Sequence, residues 1–389
     1  MKVLHIVGSM DRGGVETWLM NVLRHIDRER LHMDFLVHTT KPGIFDQEIR
    51  ALGSKVIPCL SPSQPRQYAH NFKRIVQQEG HYDIAHSHVH YFSGYIMRLA
   101  HQNGIPVRIV HAHTNTSLQD SKANLLRRFY LSLMQTWIAH YGTLGLGVSH
   151  GAATALFNSP YGRSLNWQTL FCGINLEEFY QPLDSRKTRE EFGISQEAFV
   201  IGHVGRFVES KNHFFLLEIA AEILRQQPNA VLFLVGDGPL RPRIEDRIKQ
   251  LGIAESVILT GMRSDVSRLM RGVMDIFILP SFYEGLGLVL IEAQAAGLPC
   301  IFSDAVPDEA EVIPDLTERL SLRDGARNWA KTALKNTNIK LLRGAKTALD
   351  IIKNTDFNID ISAKKLLDLY ENNVSNSRKE SLEFRSSKI

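Results

Sequence analysis

Two glutamates, Glu284 and Glu292, bracket a glycine-rich stretch in Pro280-Ser281-Phe282-Tyr283-Glu284-Gly285-Leu286-Gly287-Leu288-Val289-Leu290-Ile291-Glu292. The apolar run Ile276–Leu279 reads as a strand, and the run from Leu288 as a helix that Gly297 and Pro299 stop. Glu284 then falls in a loop and Glu292 in the early helix, while Gly285 and Gly287 bare backbone N–H groups at the helix start. Such groups hold phosphate. An exposed carboxylate and a second one serving the helix dipole are the structural alternative, but neither accounts for the glycines. Two carboxylates beside an anion site suit a ligand with hydroxyls on both sides of a diphosphate, which is a nucleoside-diphosphate sugar.

Cations for that diphosphate are available in Gly202-His203-Val204-Gly205-Arg206-Phe207-Val208-Glu209-Ser210-Lys211-Asn212. Arg206 and Lys211 flank a loop just past a strand end; one offers two-point hydrogen bonding and the other a compact charge. Alone, the pair could equally be two solvated surface cations. The first strand, Val3–Val7, runs into Gly8-Ser9-Met10-Asp11-Arg12-Gly13-Gly14, which has neither the GxGxxG spacing nor the Gly-Lys-Ser/Thr of a P-loop. It places Gly13 and Gly14 just before a helix, either as a tight turn or as a backbone site for an anion or sugar hydroxyl. His86, His88 and His90 alternate, as do His111 and His113, so each set could line one strand face as metal ligands.

The elements that must position these groups are short apolar runs alternating with helix-period segments along most of the chain. That pattern means parallel βαβ units and doubly wound sheets. It starts at Val3 and starts again at Val200, after an interruption over residues 171–197. We therefore expect an α/β protein of two Rossmann-like domains, 1–172 and 173–361, facing across a cleft. A helix at about 362–373 is expected to pack back on the first domain, and the polar segment 374–389 to be a disordered tail. The length of 389 residues suits two domains, and 44% hydrophobic content excludes a largely disordered chain. A net charge of +4 is too small to imply nucleic acid. It is unevenly divided: residues 1–172 carry +7 and 14 of the 16 histidines, so that half is the basic, titratable one. Cys59, Cys172 and Cys300 form no pairing pattern, and no signal or membrane-spanning run is present, so a cytoplasmic location is expected.

Taken together, Glu284-x7-Glu292, Arg206 with Lys211, Gly236-Asp237-Gly238-Pro239, Gly13-Gly14 and Phe171-Cys172-Gly173-Ile174-Asn175 resemble the family-4 retaining glycosyltransferases of GT-B fold. The similarity runs to about residue 305 and is nearest to the capsular and exopolysaccharide branch. The resemblance implies that Glu292 holds the ribose hydroxyls, Glu284 a donor-sugar hydroxyl, and Arg206 and Lys211 the diphosphate. Gly13, Gly14, Gly287, Leu288 and Val289 border the donor, Met262 and Arg263 its base, and His113 lies beside the reacting sugar. It also implies metal-independent transfer with no cofactor, so we expect a histidine-rich wall and no metal centre. The donor is expected to be UDP-linked and the acceptor a saccharide or polyprenyl-linked sugar. Two departures stand out: Cys172 occupies a hinge position usually held by Asn, and Ser303-Asp304-Ala305-Val306-Pro307-Asp308-Glu309 lacks the family's glycine pair. The donor sugar is therefore not carried over.

Two other readings remain open at this point, a sugar-nucleotide epimerase of the same fold and a non-catalytic sugar-nucleotide-binding subunit. The stretch 122–141 leaves a second choice. Leu125, Phe129, Leu133 and Trp137 form one row and Leu126, Tyr130, Met134 and Ile138 another, with Lys122, Arg127 and Arg128 near the start. Such a stripe faces a core, or its first turns enter an anionic leaflet on the inner face of the cell membrane and bring the enzyme to a lipid-linked acceptor.

Overall fold

Strands rich in Val, Ile, Leu and Phe, each followed by a helix, give two sheets in the computed structural model, which describes residues 1–60, 62–117, 120, 123–158, 165–335 and 345–386. The first sheet has the order β3(Val56–Pro58), β2(His32–Val37), β1(Lys2–Val7), β4(Ile84–Ser87), β5(Val107–Ala112), β6(Leu144–Gly147), β7(Trp167–Thr169). The second has β10(Val257–Leu259), β9(Val231–Val235), β8(Val200–Val204), β11(Ile276–Leu279), β12(Cys300–Ser303), β13(Thr317–Leu320). Every named strand pair is parallel. Parallel strands need crossovers, and the helices that supply them cover both sheet faces. That is why β11, Ile-Phe-Ile-Leu, is buried at every position instead of alternating.

In each sheet the chain winds outward for three strands and then returns to the other side of its starting strand. The reversal falls between β1 and β4 in one sheet and between β8 and β11 in the other. At such a point neighbouring loops leave the carboxyl ends of two strands in opposite directions and open a crevice. The candidate donor and sugar residues follow these four strands or the adjacent ones, except Met262 and Arg263, which follow the edge strand β10.

Two units result. One comprises Met1–Gly173 together with the chain from Ile359 onward, the other Ile174–Asn358. In the second, the helix His213–Gln226 packs Leu216, Leu217 and Ile223 with Ile201, Leu232 and Ile276 of the sheet and with Trp329. In the first, the chain leaves at Gly173 and re-enters at Ile359, and the two passes touch: a Cβ on Gly173 would lie 2.7 Å from the Ile359 Cα. A glycine is needed there for close approach.

The segment expected to be a disordered tail is ordered through Ser386, as the end of a helix spanning Ile359–Ser386. Its apolar residues Leu366, Leu367, Tyr370 and Val374 are buried in the first unit, and Arg378 reaches Asp83 Oδ1 at 3.1 Å. Polarity misled the reading. Lys, Arg and Glu are good helix formers, and extending a helix already nucleated by a packed stripe costs little per residue. Residues 387–389 lie outside the described residues.

Candidate active site

Lys211 closes a short helical turn, Glu209–Lys211, after β8, and Glu284 lies in the loop after β11. The strand reversal brings them together: Lys211 Nζ is 2.6 Å from Glu284 Oε1, and both side chains are largely buried. Ser281 Oγ donates to the same oxygen at 2.7 Å, and Ser303 Oγ, at the end of β12, donates to the Ser281 carbonyl at 2.6 Å. The two loops are also tied by a backbone bond from Phe282 N–H to Ser210 O, 2.8 Å. Both side-chain donors use Oε1, so Glu284 Oε2 accepts no protein hydrogen bond among the described residues. Arg206, earlier in the β8 loop, is exposed and has no carboxylate partner among the described residues. Ser281 and Ser303 were not singled out as contributors from the sequence, where they are ordinary small polar residues.

Beneath Lys211, His203 and His213 are held neutral by burial, at about 4 and about 2 respectively. They add no competing charge to the cation above them. Gly287 caps the helix Leu288–Ala295 in the left-handed region, φ 91°, where any side chain would be strained. The N–H groups of Leu288 and Val289 open that helix and so have no partner within it. Glu292, one turn further on, is half-buried. Burial pushes its carboxyl up to about 7, and the nearby Glu178 carboxylate adds to the rise. Glu178 was not singled out from the sequence, because it lies more than a hundred positions away.

Met262 is exposed, and Arg263 next to it is held by Asp265 in a two-point pair, 2.9 Å at each contact. Arg268 also bonds Asp265. Burial acts to raise the Asp265 carboxyl, but the hydrogen bonds from Arg263 and Arg268 outweigh it and hold the group down at about 2. In Gly236-Asp237-Gly238, Asp237 Oδ1 accepts the Gly238 N–H at 2.7 Å and Oδ2 pairs with Arg241 at 2.8 Å.

The remaining expected site residues belong to the first unit. Gly13 caps the helix Gly14–His25 that follows β1, and both glycines are exposed. His86 on β4, His88 just after it, His111 on β5 and His113 just after it gather with His5 of β1. His90 does not join them. It sits at φ 51° where the chain turns, and its Nε2 meets Thr116 Oγ1 at 3.0 Å, so the strand alternation ends at His88. In the helix Leu125–Tyr141 the stripe divides: Met134 and Ile138 are buried, together with Leu131 from outside the two rows, whereas Leu125, Leu126 and Phe129 are 83%, 84% and 72% exposed. Lys122 lies outside the described residues. No helix among the described residues is long and apolar enough to cross a membrane.

Two Rossmann-like units, each built on a parallel doubly wound sheet, are the architecture of the GT-B class, and comparison with known proteins places the chain among its glycosyltransferases. Residues 184–356 match the family model described as glycosyl transferases group 1, and residues 13–161 match that of a glycosyl transferase 4-like domain. The chain belongs to this family of glycosyltransferases. It is 35% identical to the Bacillus subtilis glycosyltransferase named EpsF over 85% of this chain and 86% of that one. With the Staphylococcus aureus capsular polysaccharide biosynthesis glycosyltransferase CapH it shares 26% identity over 86% of this chain and 90% of that one. Among solved structures, Anabaena Alr3699/HepE in complex with UDP and glucose is similar in fold, with a TM-score of 0.78 and 19% identity across 95% of this chain and 99% of that one.

Proposed function

We propose that the enzyme is a retaining hexosyltransferase that takes its sugar from a UDP-linked donor and passes it to a saccharide or polyprenyl-linked acceptor in surface polysaccharide synthesis. The observation that carries the donor assignment is the Lys211–Glu284 pair at the strand reversal, beside a helix N-terminus capped by Gly287. In this reading Lys211 and Arg206 hold the diphosphate, with the N–H groups of Leu288 and Val289. The open Oε2 of Glu284 accepts a sugar hydroxyl, Glu292 accepts the ribose hydroxyls, and Met262 and Arg263 border the base. His113 acts at the reacting sugar, with Gly13 and Gly14 bordering the donor. The names of relatives support the substrate class. CapH is a capsular polysaccharide enzyme. An Escherichia coli relative, 27% identical over 57% of this chain and 58% of that one, is a galactosyltransferase from UDP-Gal to a sugar on diphosphoundecaprenol.

In the transfer step the bond from the anomeric carbon to the diphosphate oxygen breaks and a bond to the acceptor oxygen forms on the same face. The acceptor's proton passes to the departing phosphate oxygen. Negative charge grows on the diphosphate, and fixed cations and N–H groups meet it without reorganising. Two protein cations then do what a divalent ion does elsewhere, so no metal is required. The exposed Leu125, Leu126 and Phe129 beside Arg127 and Arg128 suit reversible attachment to an anionic membrane surface, where a lipid-linked acceptor resides.

A panel of nucleotide sugars tests this. Acceptor-dependent release of UDP, unaffected by EDTA, is expected with at least one UDP-hexose. Conversion of the donor to a different nucleotide sugar would instead mark an epimerase, and donor binding with no turnover on any acceptor would mark a silent binding subunit.

A further inference from the structure

Five imidazoles meet near the carboxyl ends of β1, β4 and β5, more than one polar group at a sugar calls for. Three of them form a continuous chain: His5 Nδ1 is 3.1 Å from His88 Nε2, and His88 Nδ1 is 2.8 Å from His113 Nε2. Burial holds these rings neutral, bringing His5 to about 3 against the pull of Asp34, His113 to about 3, and His88 well below the ordinary imidazole range. A neutral imidazole has one N–H and one bare nitrogen, so the two bonds must run in the same sense.

The inner end decides which sense. His5 Nε2 is buried with no hydrogen-bond partner among the described residues. Were the bonds to run inward, that nitrogen would carry a stranded N–H, whereas running outward it keeps only an unused lone pair. Buried N–H groups are left without acceptors less often than acceptors are left without donors. We propose that His5 and His88 form a hydrogen-bond relay that holds His113 as its Nδ1–H tautomer, making it a hydrogen-bond donor toward the reacting sugar. His5 and His88 are then positioning residues, and the inference rests on the reading that His113 meets that sugar.

A metal ion is the competing explanation, since ring nitrogens of His5, His86 and His88, and of His88, His111 and His113, lie within 4.8 Å of one another. Tetrahedral ligation at bonds of about 2.0–2.1 Å separates ligand nitrogens by roughly 3.3–3.4 Å. The 2.8 Å contact between His88 and His113 is a hydrogen-bond length instead.

Amide isosteres distinguish the two senses, because an Asn amide overlays Nδ1 and a Gln amide overlays Nε2. His113→Asn should retain a kcat about tenfold above that of His113→Gln, the worth of one hydrogen bond. His88→Asn should likewise exceed His88→Gln and His88→Ala by about tenfold in kcat with KM unchanged. The opposite order would overturn the outward relay. Histidine 15N NMR of the wild-type protein reads the tautomers without reference to activity or to the folding of any variant. Nδ1–H at His5, His88 and His113 is expected, although imidazole side chains in water favour Nε2–H. An Nε2–H form at His113, or one equivalent of zinc in the purified protein, would refute the relay. Full turnover in every His113 variant, with the Nδ1–H forms intact, would remove His113 from the reaction and leave the relay standing.

Discussion

Replacing Glu292 by Gln should make the protein more stable at pH 8 while weakening its hold on the nucleotide. Burial, with help from Glu178, raises this carboxyl from an ordinary 4.5 to about 7. In the unfolded chain the proton leaves near the ordinary value; in the folded protein it stays until about 7. Between those values the folded state binds more protons, so the group's contribution to stability falls as pH rises and is fully unfavourable above about 7. The whole gap corresponds to roughly 3 kcal/mol. Glu292 keeps part of its surface exposed, so about 1–2 kcal/mol is the expected cost of its charge. Gln has nearly the same shape and no charge to desolvate. Urea denaturation of both proteins at pH 5 and pH 8 isolates the effect, because every other titrating group is common to them. The variant should be more stable by about 1–2 kcal/mol at pH 8, with the difference shrinking toward pH 5. Calorimetry should show its UDP affinity lowered about tenfold, since a carboxylate accepts ribose hydroxyls more strongly than an amide. Equal pH dependence in the two proteins, or a variant less stable at pH 8, would refute the reasoning.

Arg206→Ala or Lys211→Ala should lower kcat for UDP release by about 10²–10³-fold with melting temperature little changed for Arg206, whose side chain is exposed; wild-type turnover would exclude a diphosphate role. Lys211→Ala and Glu284→Gln should be non-additive in denaturation experiments, with a coupling energy of about 1–3 kcal/mol, because each removes the other's 2.6 Å partner. Glu284→Gln should depress kcat, and a defect confined to KM would contradict its place at the sugar. Co-sedimentation with anionic vesicles should be salt-sensitive, weaken when Arg127 and Arg128 become Ser, and disappear when Leu125, Leu126 and Phe129 become Ser; vesicle binding that ignores all five changes would return the helix to a purely structural role.

Local chemistry carried much of this in the linear chain. Alternating apolar strands and helices dictate two doubly wound sheets, because only parallel βαβ units bury such strands on both faces. Gly287, Glu284 and Glu292 were legible because helix start, loop and helix interior are short-range features, readable over a dozen residues. What the spacing could not express was any relation set by sheet order. Lys211 and Glu284 meet only because β8 and β11 are neighbours, and Glu178 reaches Glu292 from a distant helix. His5, His88 and His113 line up only because β1, β4 and β5 lie side by side. Polarity likewise suggested disorder beyond residue 373, yet the buried Tyr370 and Val374 anchor a helix that continues to Ser386. The stripe in 125–141 was visible, but which turns face the core depended on the neighbours present: Met134 and Ile138 find them, while Leu125, Leu126 and Phe129 do not. Residue type and spacing set the chemistry each element can offer. Strand order and packing decide which of those groups share a hydrogen bond, and therefore which charges and tautomers the folded protein holds.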